Sequence, residues 1–510
     1  MKNLFNSNVQ SASTRSAQID KILQQEMAQL KRRDFLKKSG YMLGGAALGS
    51  MFANQATAAG QTLDFTRPMD APLSPLPPQY AAKAKRVIYM HMVGGPSQLE
   101  MFDYKPELEK YDGRDTPQSF LEGKQFAFIS GTPKLLGPQF PFKQHGQSGA
   151  WISDRLPHLA KHADDICFIK SMKTDQFNHA PAQVLMHTGS ALSGKPSIGA
   201  WATYALGTMN QNLPGFIALT SGKNAPDGGK QLWGSGFLPS VYQGVECRKQ
   251  GDPVLYLSNP KEVSRPLRRR ILDAIADLNQ QSYNTVGDPE TLTRTSQYEM
   301  AYRMQLEASD AFDISKESET TLENYGAEVG KASFANNCVI ARRLAERGVR
   351  YIQLFDYAWD HHGVGEAGSV DLGIRNKCKD IDRPMAALLE DLKQRGMLED
   401  TLVIWGGEFG RTPMRENRAG QDMLFAGRDH HTDAFTMWMA GGGVKGGYTH
   451  GETDELGYEV VNDKVEIADL HATILYLLGF NHYDLNYRFQ GLNQRLTGVE
   501  HPQIISQILA

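Results

Sequence analysis

The chain has 510 residues and a formal net charge of -3, with 22% of its residues charged. That length accommodates two or three average domains, or one large α/β domain with insertions, and either buries a substantial core. The near-neutral balance excludes the basic field of a domain built to read nucleic acid. Cys167, Cys247, Cys338 and Cys378 form no CxxC pair, which argues against a thiolate zinc site or a redox dithiol and leaves a disulfide open.

In chain order, the first informative stretch is Lys31-Arg32-Arg33-Asp34-Phe35-Leu36-Lys37, followed by a weakly apolar, glycine-rich run from Gly40 to Ala53 and by Ala56-Thr57-Ala58. It resembles a twin-arginine export signal, with Arg32 and Arg33 as the pair read by the export machinery and Ala56 to Ala58 as the cleavage site. The apolar run is shorter than the roughly 20 residues a bilayer span needs, so no stable span is expected in the mature chain. Residues 1–58 therefore read as a signal with a long polar lead, 59–85 as a Pro-rich linker, 86–497 as the main domain and 498–510 as a tail. The expected location is the periplasm or the medium.

Arg86 to Val93 is a short apolar run ending in Gly94-Gly95-Pro96-Ser97, a pattern that predicts a buried strand feeding a loop. Ile166 to Ile169 and Val349 to Phe355 predict two more strands, the latter after a helix from Ala332 to Arg347 closed by Gly348. Then come a helix from Ile381 to Arg395, strands Thr401 to Trp405 and Ala434 to Met439, and a helix from Ile467 to Leu478. This alternation predicts a mostly parallel central sheet with helices on both faces. The stretch 212–260 reads as loop-rich and 265–319 as helical, together an insertion or cap over about 212–320.

In such sheets the binding crevice lies beyond the carboxyl ends of the strands. Three clusters of metal-ligand residue types flank the strands: Asp356-Tyr357-Ala358-Trp359-Asp360-His361-His362-Gly363 after Val349 to Phe355, Gly406-Gly407-Glu408-Phe409-Gly410-Arg411-Thr412 after Thr401 to Trp405, and Gly427-Arg428-Asp429-His430-His431-Thr432 immediately before Ala434 to Met439. Carboxylates and imidazoles suit zinc, manganese or iron, or calcium or magnesium where carboxylates dominate. A lone loop histidine more often bonds backbone. Two His-His pairs, each beside an Asp at one end of the sheet, point instead to a shared divalent ion. Adjacent histidines cannot both turn inward without a bend, so one of each pair is expected as ligand and its neighbour as support.

These runs, with Ala341 to Val349 and the Gly441 to Gly447 turn, resemble the bacterial family catalogued as domain of unknown function 1501, over about Arg86 to Thr497. That family is similar to the sulfatase and alkaline phosphatase superfamily, which implies an alkaline phosphatase/sulfatase-like α/β fold. By that resemblance Glu408 takes the place of a metal-binding Asp, while Phe409 replaces its neighbouring His. His431 stands for the late metal-binding His, Asp360 and His362 for the Asp and His of the same metal, and Asp469 to Leu475 for a structural helix. The nucleophile departs from the pattern, because Asn178-His179-Ala180-Pro181-Ala182-Gln183 has His179 where a Cys or Ser would stand. The first strand also lacks an acidic ligand, with Glu100 and Asp103 as the nearest acids.

The expected function is an exported metal-dependent hydrolase of phosphate or sulfate esters, acting on a small anionic ester or a sulfated or phosphorylated glycan. Asp360, His362 and His431 would hold the ion, with Glu408 either completing the ligand set or acting as base. Arg411 and Arg428 would clamp an oxyanion, or Arg411 would salt-bridge Glu408. His179 would protonate the leaving group. His361, Asp429, His430 and Asn178 are the supporting or alternative ligands. The competing reading is a catalytically inert member of the same fold serving as an envelope binding or assembly module, and a further one is a carbohydrate esterase.

Overall fold

Strand β1 (Arg86–Met92) owes its central position to a run with no exposed face. Ile88, Met90 and Met92 point into one hydrophobic cluster while Val87, Tyr89 and Val93 point into the other, so the alternation of a strand serves two cores. The computed structural model describes residues 65, 67–68, 71–221, 225–248, 259–260 and 262–510, all within the unit Leu63–Ala510. The Arg32-Arg33 segment lies outside the described residues.

Beside β1 the main sheet contains β2 (Ile166–Lys173), β3 (Phe216–Thr220), β4 (Val245–Cys247), β5 (Tyr351–Asp356), β6 (Thr401–Gly406), β7 (Phe435–Ala440), β8 (Tyr448–His450) and β9 (Val465–Glu466). Their order is β8-β2-β7-β6-β1-β5-β3-β4, with β9 also paired to β2. Parallel pairing holds throughout except at β7, which runs antiparallel to both β2 and β6. The architecture is thus α/β with a mostly parallel mixed sheet. One face is covered by α5 (Phe334–Glu346) and α6 (Leu372–Gln394), the other by α1 (His179–Thr188), α2 (Ile198–Leu206) and α7 (Ile467–Leu477). The remaining long helices, α3 (Arg265–Val286) and α4 (Pro289–Phe312), pack on each other as a hairpin.

Two expectations are corrected. The stretch 212–260, read as loop within an insertion, supplies β3 and β4 to the main sheet. Phe216–Thr220 is buried at every position, so it lacks the two-residue alternation that marks a half-exposed strand. Helix α6 starts at Leu372 rather than Ile381, because Ile374, Cys378, Ile381, Met385, Leu388 and Leu392 form one buried stripe at helical spacing that runs through Pro384.

The strand order places the ends of β1, β2, β5 and β6 and the start of the reversed β7 on one rim. The loops there approach closely. A Cβ on Gly94, whose φ is +121°, would lie 2.5 Å from the backbone nitrogen of Asp360. Gly94→Ala is accordingly expected to cost about 2 kcal/mol or more through strain and overpacking. A urea midpoint equal to that of the parent protein would contradict this close approach.

Candidate metal centre

His179 is the first residue of α1, reached from the end of β2. Asp360 and His362 lie in the loop after β5, and His430 lies in a two-residue ladder, His430–His431 against Gly410–Arg411, just before β7. Three stretches of chain therefore deliver four side chains, two of them from the β5 loop. Their ligand atoms all fall within 4.8 Å of one another.

Asp360 Oδ1 is the meeting point: it lies 2.7 Å from His362 Nε2, 3.3 Å from His179 Nε2 and 3.4 Å from His430 Nε2. The Nε2 atoms of His362 and His430 are 3.0 Å apart. Each imidazole is held from behind at Nδ1 by an acceptor. His179 Nδ1 meets Glu408 Oε1 at 2.8 Å, His430 Nδ1 donates to the Phe177 carbonyl at 2.6 Å, and His362 Nδ1 bonds Glu416. Since carboxylate and carbonyl oxygens only accept, the Nδ1 atoms carry protons, and each ring turns its Nε2 toward Asp360.

Charge follows the same geometry. Burial opposes protonation of His179, but the carboxylates of Asp360 and Glu408 on either side of its ring outweigh this and raise its pKa to about 9. Burial likewise works against the Asp360 carboxylate, yet the Arg411 guanidinium and the three imidazoles hold its pKa far below the usual range. Glu408 is also held far below that range, because hydrogen bonds from His179 and His91 override its burial. Burial, reinforced by Arg411 and the neighbouring imidazoles, lowers His430 to about 4.

Several sequence expectations change here. His431 does not join the cluster; its ring stacks on Tyr458, and its Nε2 meets the Tyr458 carbonyl. Consecutive residues of an extended strand face opposite ways, and in this ladder it is His430 that faces the rim. His361 is turned under α6, where a Cβ on Gly373 would lie 2.5 Å from its ring, and burial lowers its pKa to about 3. Glu408 is fully buried behind His179, where its Oε1 also accepts from the Gly94 backbone N–H and Gln183 and its Oε2 lies 3.3 Å from His91; it therefore orients a ligand and has no path to act as a base on water at the cluster.

Arg411 pairs with Asp360, not Glu408. It donates to the carbonyls of Gly95, Gly94 and Arg428 and meets His362 Nε2 at 3.4 Å, so all five of its N–H donors are engaged and none is left for a substrate. Arg428 is fully buried and engages four of its five N–H donors, with Glu100 and with the carbonyls of Thr412 and Gly137. Asp429 accepts from the backbone N–H groups of Phe128, Ile129 and His430. With Glu416 and His362 it forms a second group of potential ligands, whose oxygens are already hydrogen-bonded. Asn178 is exposed at the start of α1 and makes no capping bond. Asp103 bonds Thr453, away from the cluster.

Glu416, the Phe177 carbonyl and His91 were not legible in the sequence. Glu416 sits in no recognisable motif, and a backbone carbonyl leaves no trace in residue identity. The four cysteines are buried and free.

A family model described as "Protein of unknown function (DUF1501)" matches residues 84–509. No curated protein matches the chain. Among solved structures, it is similar to Ps i-CgsB in complex with k-i-k-neocarrahexaose, at 10% identity over 78% of this chain and 72% of that one, with a TM-score of 0.35. It is also similar to the PsFucS1 sulfatase from Pseudoalteromonas sp., at 11% identity over 78% and 68%, TM-score 0.32, and to the alkaline phosphatase of the Antarctic bacterium TAB5, at 13% over 71% and 92%, TM-score 0.26. At scores this low the fold assignment rests on the chain's own strand order.

The Arg428–Glu100 pair is wholly buried, at 2.7 Å. Glu100→Ala strands the guanidinium and is expected to cost about 3–5 kcal/mol in chemical denaturation. The paired change Glu100→Leu with Arg428→Met should cost less than the single one; an equal or larger cost would contradict the charge argument.

Proposed function

The chain belongs to the family described as protein of unknown function (DUF1501), and from the geometry of its rim we propose that it is an exported hydrolase using one divalent cation, held by His179, Asp360, His362 and His430, to cleave phosphate or sulfate esters without a covalent intermediate. The observation that carries this reading is the convergence of three imidazole Nε2 atoms and one carboxylate oxygen, with every Nδ1 held from behind. Four potential ligand atoms gathered within 4.8 Å of one another fit a single cation. His179 Nε2 is buried and lacks a well-formed hydrogen bond, as an atom reserved for a ligand would. A donor set dominated by imidazole suits zinc or iron better than manganese, calcium or magnesium.

When bound, such a cation supplies Lewis acidity, which lowers the pKa of water from 15.7 to roughly 7. The chain's own residues do the positioning. Glu408, Glu416 and the Phe177 carbonyl fix the imidazole planes, and Arg411 pins Asp360 while adding positive charge at the rim. His179 is thereby assigned to the cation and not to protonating a leaving group. With His179 where the resemblance placed a nucleophile, attack by water fits better than attack by a side chain. Export rests on the Arg32-Arg33 segment; among the described residues no helix is long and apolar enough to cross a membrane.

Elemental analysis of the purified protein is expected to find one equivalent of a transition metal. His430→Ala should lower metal affinity at least tenfold, whereas His431→Ala should retain the metal. Hydrolysis of phosphate mono- and diesters or sulfate esters should be lost on chelation. Retention in His430→Ala with loss in His431→Ala would overturn the ligand assignment, and a protein that binds no metal and cleaves none of these esters would favour the inert envelope module.

A further inference from the structure

The mouth of the cluster is built by two segments laced together. Residues 128–130 are tied down by Asp429, which accepts from the Phe128 and Ile129 backbones at 2.7 and 2.9 Å, and by Asn417, which accepts from Ser130 at 3.0 Å. The hairpin of Asn417–Arg418 and Gln421–Asp422 returns the contact, with Gly420 N–H donating to Ser130 Oγ at 3.0 Å. This lacing sets the Phe128 ring edge-on to His362 at 4.8 Å and to His430 at 5.8 Å. Phe128 and Phe177 are both 42% exposed at this mouth.

Over the Phe128 ring lies the Arg418 guanidinium, its carbon 4.2 Å from the ring centroid. Its Nε donates to Glu416 Oε1 at 2.8 Å, while the other oxygen of Glu416 holds His362. Among the described residues neither Nη atom of Arg418 has a partner, and the side chain is 39% exposed. Other cations around the rim are committed: Arg411 and Arg428 as above, Lys377 to Asp356, and Lys124 and Lys173 to Asp433. The uncommitted donors beside the cluster thus belong to Arg418, one aromatic ring's breadth from His362.

We infer that Arg418 and Phe128 form a specificity subsite selecting ring-bearing substrates that carry a second anionic group, carboxylate, sulfate or phosphate, beyond the one at the cluster. The inference rests on the metal-centre reading above. One anionic group is held at the cation, the ring lies against the exposed part of Phe128, and the second anion takes the paired Nη donors in the bidentate geometry that guanidinium offers. Arg411 and Arg428 do not serve this role, since both are fully buried with their guanidiniums bonded inside the rim.

The test uses terephthalate and benzoate, two ring acids that differ by one carboxylate, titrated calorimetrically into the purified metal-containing protein. The parent protein is expected to bind terephthalate at least tenfold more tightly than benzoate. Arg418→Gln should reduce that ratio below threefold, and Arg418→Lys should give an intermediate value. Thermal melting and metal content check that each variant is folded and loaded. No preference in the parent protein, including no binding of either acid, or a ratio undiminished in Arg418→Gln, would overturn the subsite. Benzoate binding that is unaffected by chelation would instead overturn the metal centre, while the ratio would still decide Arg418.

Discussion

Arg411 is buried outright, and its five N–H donors reach acceptors on three separate stretches of the rim: the Gly94 and Gly95 carbonyls after β1, Asp360 and His362 after β5, and the Arg428 carbonyl ahead of β7. This tie adds to the short ladder between His430–His431 and Gly410–Arg411 and to the backbone bonds Trp359 N–H to Val93 and Arg428 N–H to His361 in holding the loops together. A buried guanidinium is stabilising only when every donor and its charge are matched, and here both conditions are met by atoms distant in the chain. The constraint works in both directions, since the loops satisfy the cation and the cation fixes the loops.

The cluster inherits its order from this tie. Asp360 is anchored by Arg411 on one side and faces three imidazoles on the other, and each imidazole is in turn oriented by a buried acceptor. The resulting site is dense in negative charge and lone pairs at its centre, with Glu408, Glu416 and Asp360 all close by. Its mouth carries exposed aromatic rings and a guanidinium with donors to spare. Such a mouth over such a centre fits the proposed reading, in which anionic esters are drawn toward a bound metal.

The reversed strand β7 explains why the site is more legible in retrospect than in prospect. In an all-parallel sheet the rim would be lined only by residues that follow strands. Because β7 runs the other way, the residues that precede it, including Asp429 and His430, stand at the same rim. The sequence placed both His-His pairs beside strands correctly but had no means of deciding which member of each pair faces in. That choice depends on the short ladder with Gly410–Arg411 and on the packing of α6 against His361.

What the sequence determines by itself is local: uninterrupted apolar runs that become buried strands, apolar stripes that become helices, and polar clusters at strand ends, among them Asp360, His362, Glu408 and Arg411. These follow from periodicity and from the need to bury both faces of a mostly parallel sheet. Tertiary structure alone decides that His430 and not His431 meets Asp360, that Glu416 and the Phe177 carbonyl stand behind the imidazoles, that Arg411 is consumed by the rim, and that Arg418 is not. The reason is physical. A side chain's direction is set by strand register and by partners tens to hundreds of residues away, and that information appears only when the chain has closed on itself.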